Sequence, residues 1–315
     1  MLLKLVPDNT NIKFVNYRKA AFALSLSMLV ASVILFFTHG LNFGIDFKGG
    51  VLMEVKTEQT ADLAAIRESV GSLGMGTPVV QEFGDPTDVL IRLEYQQDKS
   101  LEQIVEEVKA TLDKTVEGEV SFRRTETVGP KVSGELIEDG VLSVTLAVLA
   151  VLVYIWFRFE WQFGLGAVIA LIHDVCLTIG LFCFIEMEFN LSIIAAILTI
   201  VGYSLNDTVV VYDRVRENLR KYRKMDMLEL LNLSLNETLS RTTMTSFTTL
   251  LALGALFYFG GENIHGFTAA MIWGIFVGTY SSIFIACPVL MWFEMRREPD
   301  NEIPEGMEVL PPEKG

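Results

Sequence analysis

The stretch Leu191-SIIAAILTIVGYSLNDTVVV-Tyr212 decides how the rest of the chain is read. It reaches the roughly 17–25 apolar residues that a bilayer-spanning helix needs, yet it holds Asp207. An ionised Asp at the centre of a membrane helix costs roughly 2.5–3.5 kcal/mol on insertion scales. A chain keeps such a group where it faces a bundle interior or a water-filled path. Asp207 is therefore read first as a functional residue. The plainer alternative is a buried polar contact that only locks helices together.

The rest of the composition agrees with a membrane setting. Of 315 residues, 51% are hydrophobic, and the mean hydropathy of +0.40 is too high for an ordinary soluble domain. The formal net charge of −14 argues against a nucleic-acid partner, which wants clustered Lys and Arg. Cys176, Cys183 and Cys287 fall in apolar stretches and read as small buried hydrophobes, with no metal or disulfide framework.

Six spans can be drawn: 20–38, 140–157, 163–185, 191–212, 243–259 and 267–293. The first is longer than the apolar core of a signal peptide and lacks a small-x-small cleavage site, so it reads as a retained anchor. Positive charge near membrane ends sets orientation. Lys4, Lys13, Arg18, Lys19, Arg158, the run from Arg214 to Lys224, Arg296 and Arg297 all fall on one side when six passes are threaded. That side is expected to be the cytoplasm, holding both termini (1–19 and 294–315) and a loop at 213–242. The loops 186–190 and 260–266 carry no Lys or Arg and face outward with one large segment, 39–134.

That outer segment alternates like a soluble domain. Val51-LMEVK, Val79-VQEF, Asp88-VLIRLEY and Val120-SFRRTETV read as strands, with a turn signal at Gly84-Asp85-Pro86-Thr87. Thr60-ADLAAIRESVGSLG reads as a helix capped by Thr60. Ser100, three residues before Gln103, makes a capping box for a second helix, with Leu101, Ile104, Val105, Val108 and Leu112 on its buried stripe. The order βαββαβ is that of the ferredoxin-like split motif. The expected fold class is thus an α-helical bundle of six transmembrane helices with one outer α+β ferredoxin-like domain. No metal cluster or nucleophile–base pair is legible in the outer domain, which reads as a binding or mechanical module.

Further polar groups lie in the spans. His173-Asp174 falls near the middle of the third span, and Ser204, Asn206 and Tyr203 crowd Asp207 in the fourth. At 1.5 Å rise per residue, Asp207 sits roughly 9 Å before Asp213, inside rather than at the edge. Arg241 opens the fifth span from the same side, and its long side chain could reach the Asp207 level. This allows a proton switch: protonating Asp207 cancels its charge and releases Arg241, and deprotonating it draws the pair together. Arg241 as a snorkelling anchor is the alternative. Asp174 is read as a member of a relay or hydration path, and His173 as either a packing donor or a relay member. Asp213 with Arg214 reads as an interfacial pair. On the sixth span Gly266, Ala270, Gly274, Gly278, Ser282 and Ala286 recur every four residues, a small-residue stripe for close helix packing or for a partner seam.

Three stretches carry a resemblance: Gly44-IDFKGG after the first span, Gly202-YSLNDTVVVYDRVREN in the fourth, and Glu237-TLSRTTMTSFTTL entering the fifth. Together they resemble the SecD/SecF family of membrane subunits in the bacterial Sec protein-export machinery, part of the resistance-nodulation-division superfamily. The residues of the first stretch include Gly44, Asp46, Phe47, Gly49 and Gly50. The resemblance implies a multi-pass protein of the bacterial inner membrane, with the ferredoxin-like domain in the periplasm. It implies a complex with SecD, a pseudo-symmetric six-span partner, and association with the Sec translocon channel and its auxiliary membrane subunits. It further implies that the proton motive force drives the outer domains to help a translocating preprotein complete its passage after the ATP-driven step, with Asp207 and Arg241 on the proton pathway. No cofactor and no enzymatic activity are expected, with protons as the coupling ion. One alternative is a half-unit of a superfamily exporter of small molecules or lipids. Another is an intramembrane aspartyl protease using Asp174 and Asp207, but Leu205-Asn206 stand where such proteases place Gly-x-Gly.

Overall fold

The computed structural model describes residues 7, 10–95, 99–293 and 295; Lys4, Arg296 and Arg297 of the charge argument lie outside them. Helices α1 (Arg18–Thr38), α5 (Pro130–Arg158), α6 (Trp161–Ile185), α7 (Leu191–Lys221), α8 (Met227–Phe259) and α9 (His265–Ser281) form the bundle. Six helical stretches, the last running from Glu262 to Trp292, are long and apolar enough to cross a membrane. Much of their outward surface is apolar and bare: Phe37 of α1, Phe157 of α5 and Tyr258 of α8 are more than three-quarters exposed. Lipid or a partner helix is the natural cover for such a surface.

The helices overrun the drawn spans. Residues 213–242, read as a loop, are almost wholly helical, because α7 continues to Lys221 and α8 begins at Met227. Beyond the apolar stretch this hairpin has its own core, in which Val215 and Leu219 join Leu230, Leu231 and Leu235. The Asn218 amide donates to Ser234 Oγ at 3.0 Å and Glu237 Oε2 at 2.7 Å. The segment before α1 straps it, with Val15 N–H donating to Asn232 Oδ1 and Ile12 N–H to Asn236 Oδ1. Hydropathy alone misses a helix that leaves the membrane without breaking.

Between α1 and α5 the chain forms β1 (Asn42–Phe43), α2 (Ile45–Lys48), β2 (Gly50–Thr57), α3 (Leu63–Gly71), β3 (Val79–Phe83), β4 (Asp85–Glu94), α4 (Leu101–Thr115) and β5 (Val120–Val128). Strands β2 to β5 make one antiparallel sheet in the order β3-β4-β2-β5. Alternation sorts its faces. Val51, Met53 and Val55 of β2 and Val89, Ile91 and Leu93 of β4 point to one side, where Ile66 and Val70 of α3 and Ile104, Val108 and Leu112 of α4 cover them. Leu52 and Leu90 point the other way, under Ile45 of α2.

Ser100 and Gln103 form the expected capping box. The α3 cap is not Thr60: Asp62 caps it, its carboxylate accepting from the N–H groups of Ala64 and Ala65. Both residue types cap well, and the choice follows from where the chain leaves the β2 turn. Asp62→Ala is expected to cost about 1 kcal/mol, read as a lower midpoint for protease cleavage within 60–75.

Strand β6 (Glu188–Phe189) lies in the α6–α7 connection and pairs in parallel with β1. Below it, α7 and α9 run side by side in the same direction. A Cβ on Gly274 would press into Ile200, and one on Gly278 would lie 3.0 Å from Ser204 Cβ. Thr208 and Ser282 hydrogen-bond at 2.8 Å, and Tyr212 Oη donates to the Ala286 carbonyl at 3.0 Å. The four-residue stripe on the last span therefore meets a four-residue stripe on α7, an intramolecular seam. Without a hydrophobic drive between helices in lipid, close backbone approach and hydroxyl bonds do the packing. The last helix widens to a π-helix over Ser282–Ala286. Pro288 follows, lacking an N–H and crowding the turn behind it.

Candidate functional site

The polar groups of the spans gather on two sides of α7. Successive residues on a helix turn by about 100°, so Ser204 and Thr208, four apart, face α9 while Asp207 faces α8.

On the α9 side the centre is Asp174 of α6, fully buried. Its Oδ2 accepts hydrogen bonds from Ser204 at 2.5 Å and from Ser281 at 2.8 Å, and its Oδ1 lies 2.9 Å from His173 Nδ1. His173 is also buried, stacked 6.0 Å from the ring of Tyr280, while its Nε2 has no hydrogen-bond partner among the described residues. Tyr280 Oη in turn meets Ser25 Oγ and the Ala21 carbonyl of α1. Thr208 and Ser282 continue the hydroxyl row one turn on. Three helices thus share one carboxylate through hydroxyls that can each donate or accept. Ser204 is legible as part of the polar patch; Ser281 is not, since it precedes the stripe residue Ser282 and looks like any small packing residue.

On the α8 side stands Asp207, 2% exposed. Thr245 Oγ1 lies 3.5 Å from its Oδ1, and its Oδ2 has no hydrogen-bond partner among the described residues. Thr242 Oγ1, one turn back on α8, is likewise buried without a partner among the described residues. No salt bridge joins Asp207 to Arg241 among the described residues, although the Arg241 charge still acts on Asp207. Arg241 is exposed, carries no ion pair among the described residues, and Thr245, four residues further along the same helix face, takes the place beside Asp207. An ionised carboxylate held by one long hydrogen bond costs several kcal/mol in such surroundings. A bound proton would remove that charge, and Arg241 on α8 is a cation whose charge acts on Asp207.

The other singled-out residues separate. Asn206 is exposed and points away from Asp207. Tyr203 Oη reaches Ser246 Oγ at 3.4 Å. Asp213 does not pair with Arg214: Arg158, at the end of α5, donates to both its oxygens at 2.8 and 2.9 Å, while Arg214 meets Glu217 and Glu237. Neighbours in sequence point about 100° apart on a helix, so i,i+1 pairing is the geometry a helix disfavours.

A third group lies where the α/β domain meets the start of α7. Asp46 Oδ2 accepts from the N–H of Leu191, the first residue of α7. Gly49 and Gly50 carry φ of +71° and +136°, and the chain turns there from α2 into β2. Phe47 packs against Phe43 and Phe189. Gly44 abuts the Glu188 carboxylate. Burial pushes the Glu188 carboxyl above its usual range, Arg92 opposes this, and Asp46 adds to it.

The family described as protein export membrane protein SecD/SecF, C-terminal, matches residues 107–296, and the SecD/SecF GG motif matches residues 34–61. The chain belongs to the SecD/SecF family. Both polar sides of α7 fall in the first match, and the Gly49–Gly50 turn falls in the second. The protein translocase subunit SecF of Rickettsia felis is 46% identical over 295 residues, covering 94% of this chain and 96% of that protein. The SecF of Rhodobacter capsulatus is 44% identical over 316 residues, covering 96% and 95%. Among solved structures, SecDF from Thermus thermophilus, described as a translocon-associated membrane protein, superposes with a TM-score of 0.82 at 33% identity over 91% of this chain. A super-membrane-facing form of SecDF gives 0.67 at 34% identity. This chain spans 39% of the length of those SecDF chains.

Proposed function

We propose that this SecD/SecF family member works as the SecF-type subunit of a protein translocase in the bacterial inner membrane. It pairs with SecD, associates with the Sec translocon channel and its auxiliary membrane subunits, and uses the proton motive force to help a preprotein complete translocation after the ATP-driven step. Both termini lie in the cytoplasm and the βαββαβ domain, ferredoxin-like in its strand order, lies outside. The observation that carries this reading is Asp207: a buried carboxylate without an ion pair among the described residues, midway along a helix whose outer end touches the external domain.

Proton exchange at Asp207 sets the charge in the α7–α8 contact. Deprotonated, it draws Arg241 inward along α8; protonated, it is held by Thr245 alone and Arg241 returns to the surface. Asp174, with its Ser204 and Ser281 donors, extends the route through α6 and α9, and His173 completes its hydrogen bonding. Each proton crossing 100 mV carries about 2.3 kcal/mol. At about 1.4 kcal/mol per tenfold, that biases a two-state bundle by roughly fiftyfold.

The test uses inverted membrane vesicles holding a SecD-type partner and a preprotein arrested in mid-transit after ATP is removed. With this chain present, a proton gradient should speed completion several-fold, and an ionophore should abolish the gain. Equal completion in vesicles with and without the chain would remove the assignment.

A further inference from the structure

The strongest unassigned feature is the contact between the external domain and the outer end of α7. Three kinds of tie meet there. Asp46, from the short α2 helix, caps α7 from another segment: its carboxylate accepts the Leu191 N–H at 2.8 Å. The α7 N-cap residue itself, Asn190, caps no backbone N–H of the helix; its Oδ1 accepts from Ser192 Oγ instead. Main chain adds the parallel β1–β6 pairing, Asn42 against Glu188 and Phe43 against Phe189, and a bond from Gly44 N–H to the Phe189 carbonyl at 3.0 Å. The third tie is ionic. Arg92 projects from β4 on the sheet face opposite the α3–α4 core, its side chain 7% exposed, with Nη1 3.4 Å from Glu188 Oε2 and Nη2 donating to Asn42 Oδ1 at 2.8 Å.

We propose that Arg92, Glu188, Asn42 and Asp46 form a coupling joint that makes the external domain and α7 move as one piece. The coupling role deepens the translocase reading above and rests on it. The physical reason is continuity. Helix α7 runs unbroken from Leu191 to Lys221, so Asp207 lies roughly 24 Å down one rigid rod from the capped end. Lys48–Glu94, by contrast, is an exposed pair and adds little. The Arg92 guanidinium reaches from the sheet to two partners, Glu188 and Asn42, which face each other in the β1–β6 pairing, so it resists shear there where a surface pair would slide. A second contact, Arg124 of β5 with Asn263 in the α8–α9 connection, is exposed and leaves room for motion relative to α8 and α9. The joint thus adds α7 to α5, against which α2 also packs, as a helix held to the domain.

Pulsed electron-spin distances on the full chain in lipid nanodiscs test this. Labels go at Ala110→Cys on α4 and Ala195→Cys on α7, with Cys176, Cys183 and Cys287 replaced by Ala. The parent should give one narrow distance distribution. The paired change Arg92→Met with Glu188→Met, which leaves no unpaired buried charge, should widen it about twofold or more while the unfolding midpoint of the α3–α4 domain stays put. Glu188→Gln, which keeps shape, should widen it less. An unchanged width in the folded double variant overturns the joint. This measurement needs neither a proton gradient nor a preprotein, so its failure leaves the translocase assignment standing. If the width changes but gradient-driven completion is unaltered by the double variant, the joint exists and its coupling role is wrong.

Discussion

Asp207→Asn is expected to remove the gradient-dependent part of preprotein completion, lowering it by up to roughly fiftyfold at 100 mV, the bias one proton supplies. Asn nearly matches Asp in shape and keeps an oxygen to accept from Thr245 Oγ1, which sits 3.5 Å from Oδ1. The α7–α8 contact therefore survives, and the variant should copurify with the SecD-type partner at parental yield. What disappears is the titratable group: the site stays permanently neutral, and Arg241 never has a charge to follow. ATP-driven entry of the preprotein should be unaffected. The paired readout is completion of an arrested preprotein with and without an ionophore. A variant that still responds to the gradient like the parent would take Asp207 out of the proton route.

Gly50→Ala is expected to destabilise the α/β domain between α1 and α5 by about 3 kcal/mol or more. Gly50 has φ of +136°, a region open to glycine and strained for other residues. A Cβ there would run into the Leu93 carbonyl and lie 3.0 Å from Glu94 Cα, both backbone atoms of the neighbouring strand. No rotamer relieves a clash with backbone. Because Gly50 registers with both Glu94 and Val128, relief would have to open the central strand on both edges, next to the Arg92–Glu188 contact. Limited proteolysis of the full chain in detergent should show rapid cutting within 50–128 in the variant, with the helical bundle intact. Gly49, at φ of +71° and 3.3 Å from the Val128 carbonyl, is expected to tolerate Ala better. Equal resistance of Gly50→Ala and the parent would show that the strand yields more easily than the geometry indicates.

The parts legible in the sequence are those set by local periodicity. Apolar length marked every helix of the bundle, and alternation in β2 and β4 matches the sheet faces found. The Ser100 capping box spans three residues and is seen as expected. Where two local signals competed, as between Thr60 and Asp62, the chain path decided. Hydropathy misplaced the ends of α5, α7 and α8 because it measures the solvent a helix crosses, and helices continue past it.

The candidate site divides along the same line. Residue type and depth alone made Asp207 and Asp174 costly in a membrane, and therefore worth reading as functional. Their partners were decided only by packing. Thr245 stands beside Asp207 in place of Arg241, Arg158 takes Asp213, and Ser281 joins Ser204 on Asp174. Arg92 and Glu188 are 96 positions apart and carry no local pattern that links them. A sequence records which groups are expensive to bury, since that depends on the residue and its immediate neighbours. Which group shares the cost depends on the rotation and crossing of helices far apart in the chain, and only the folded bundle sets that.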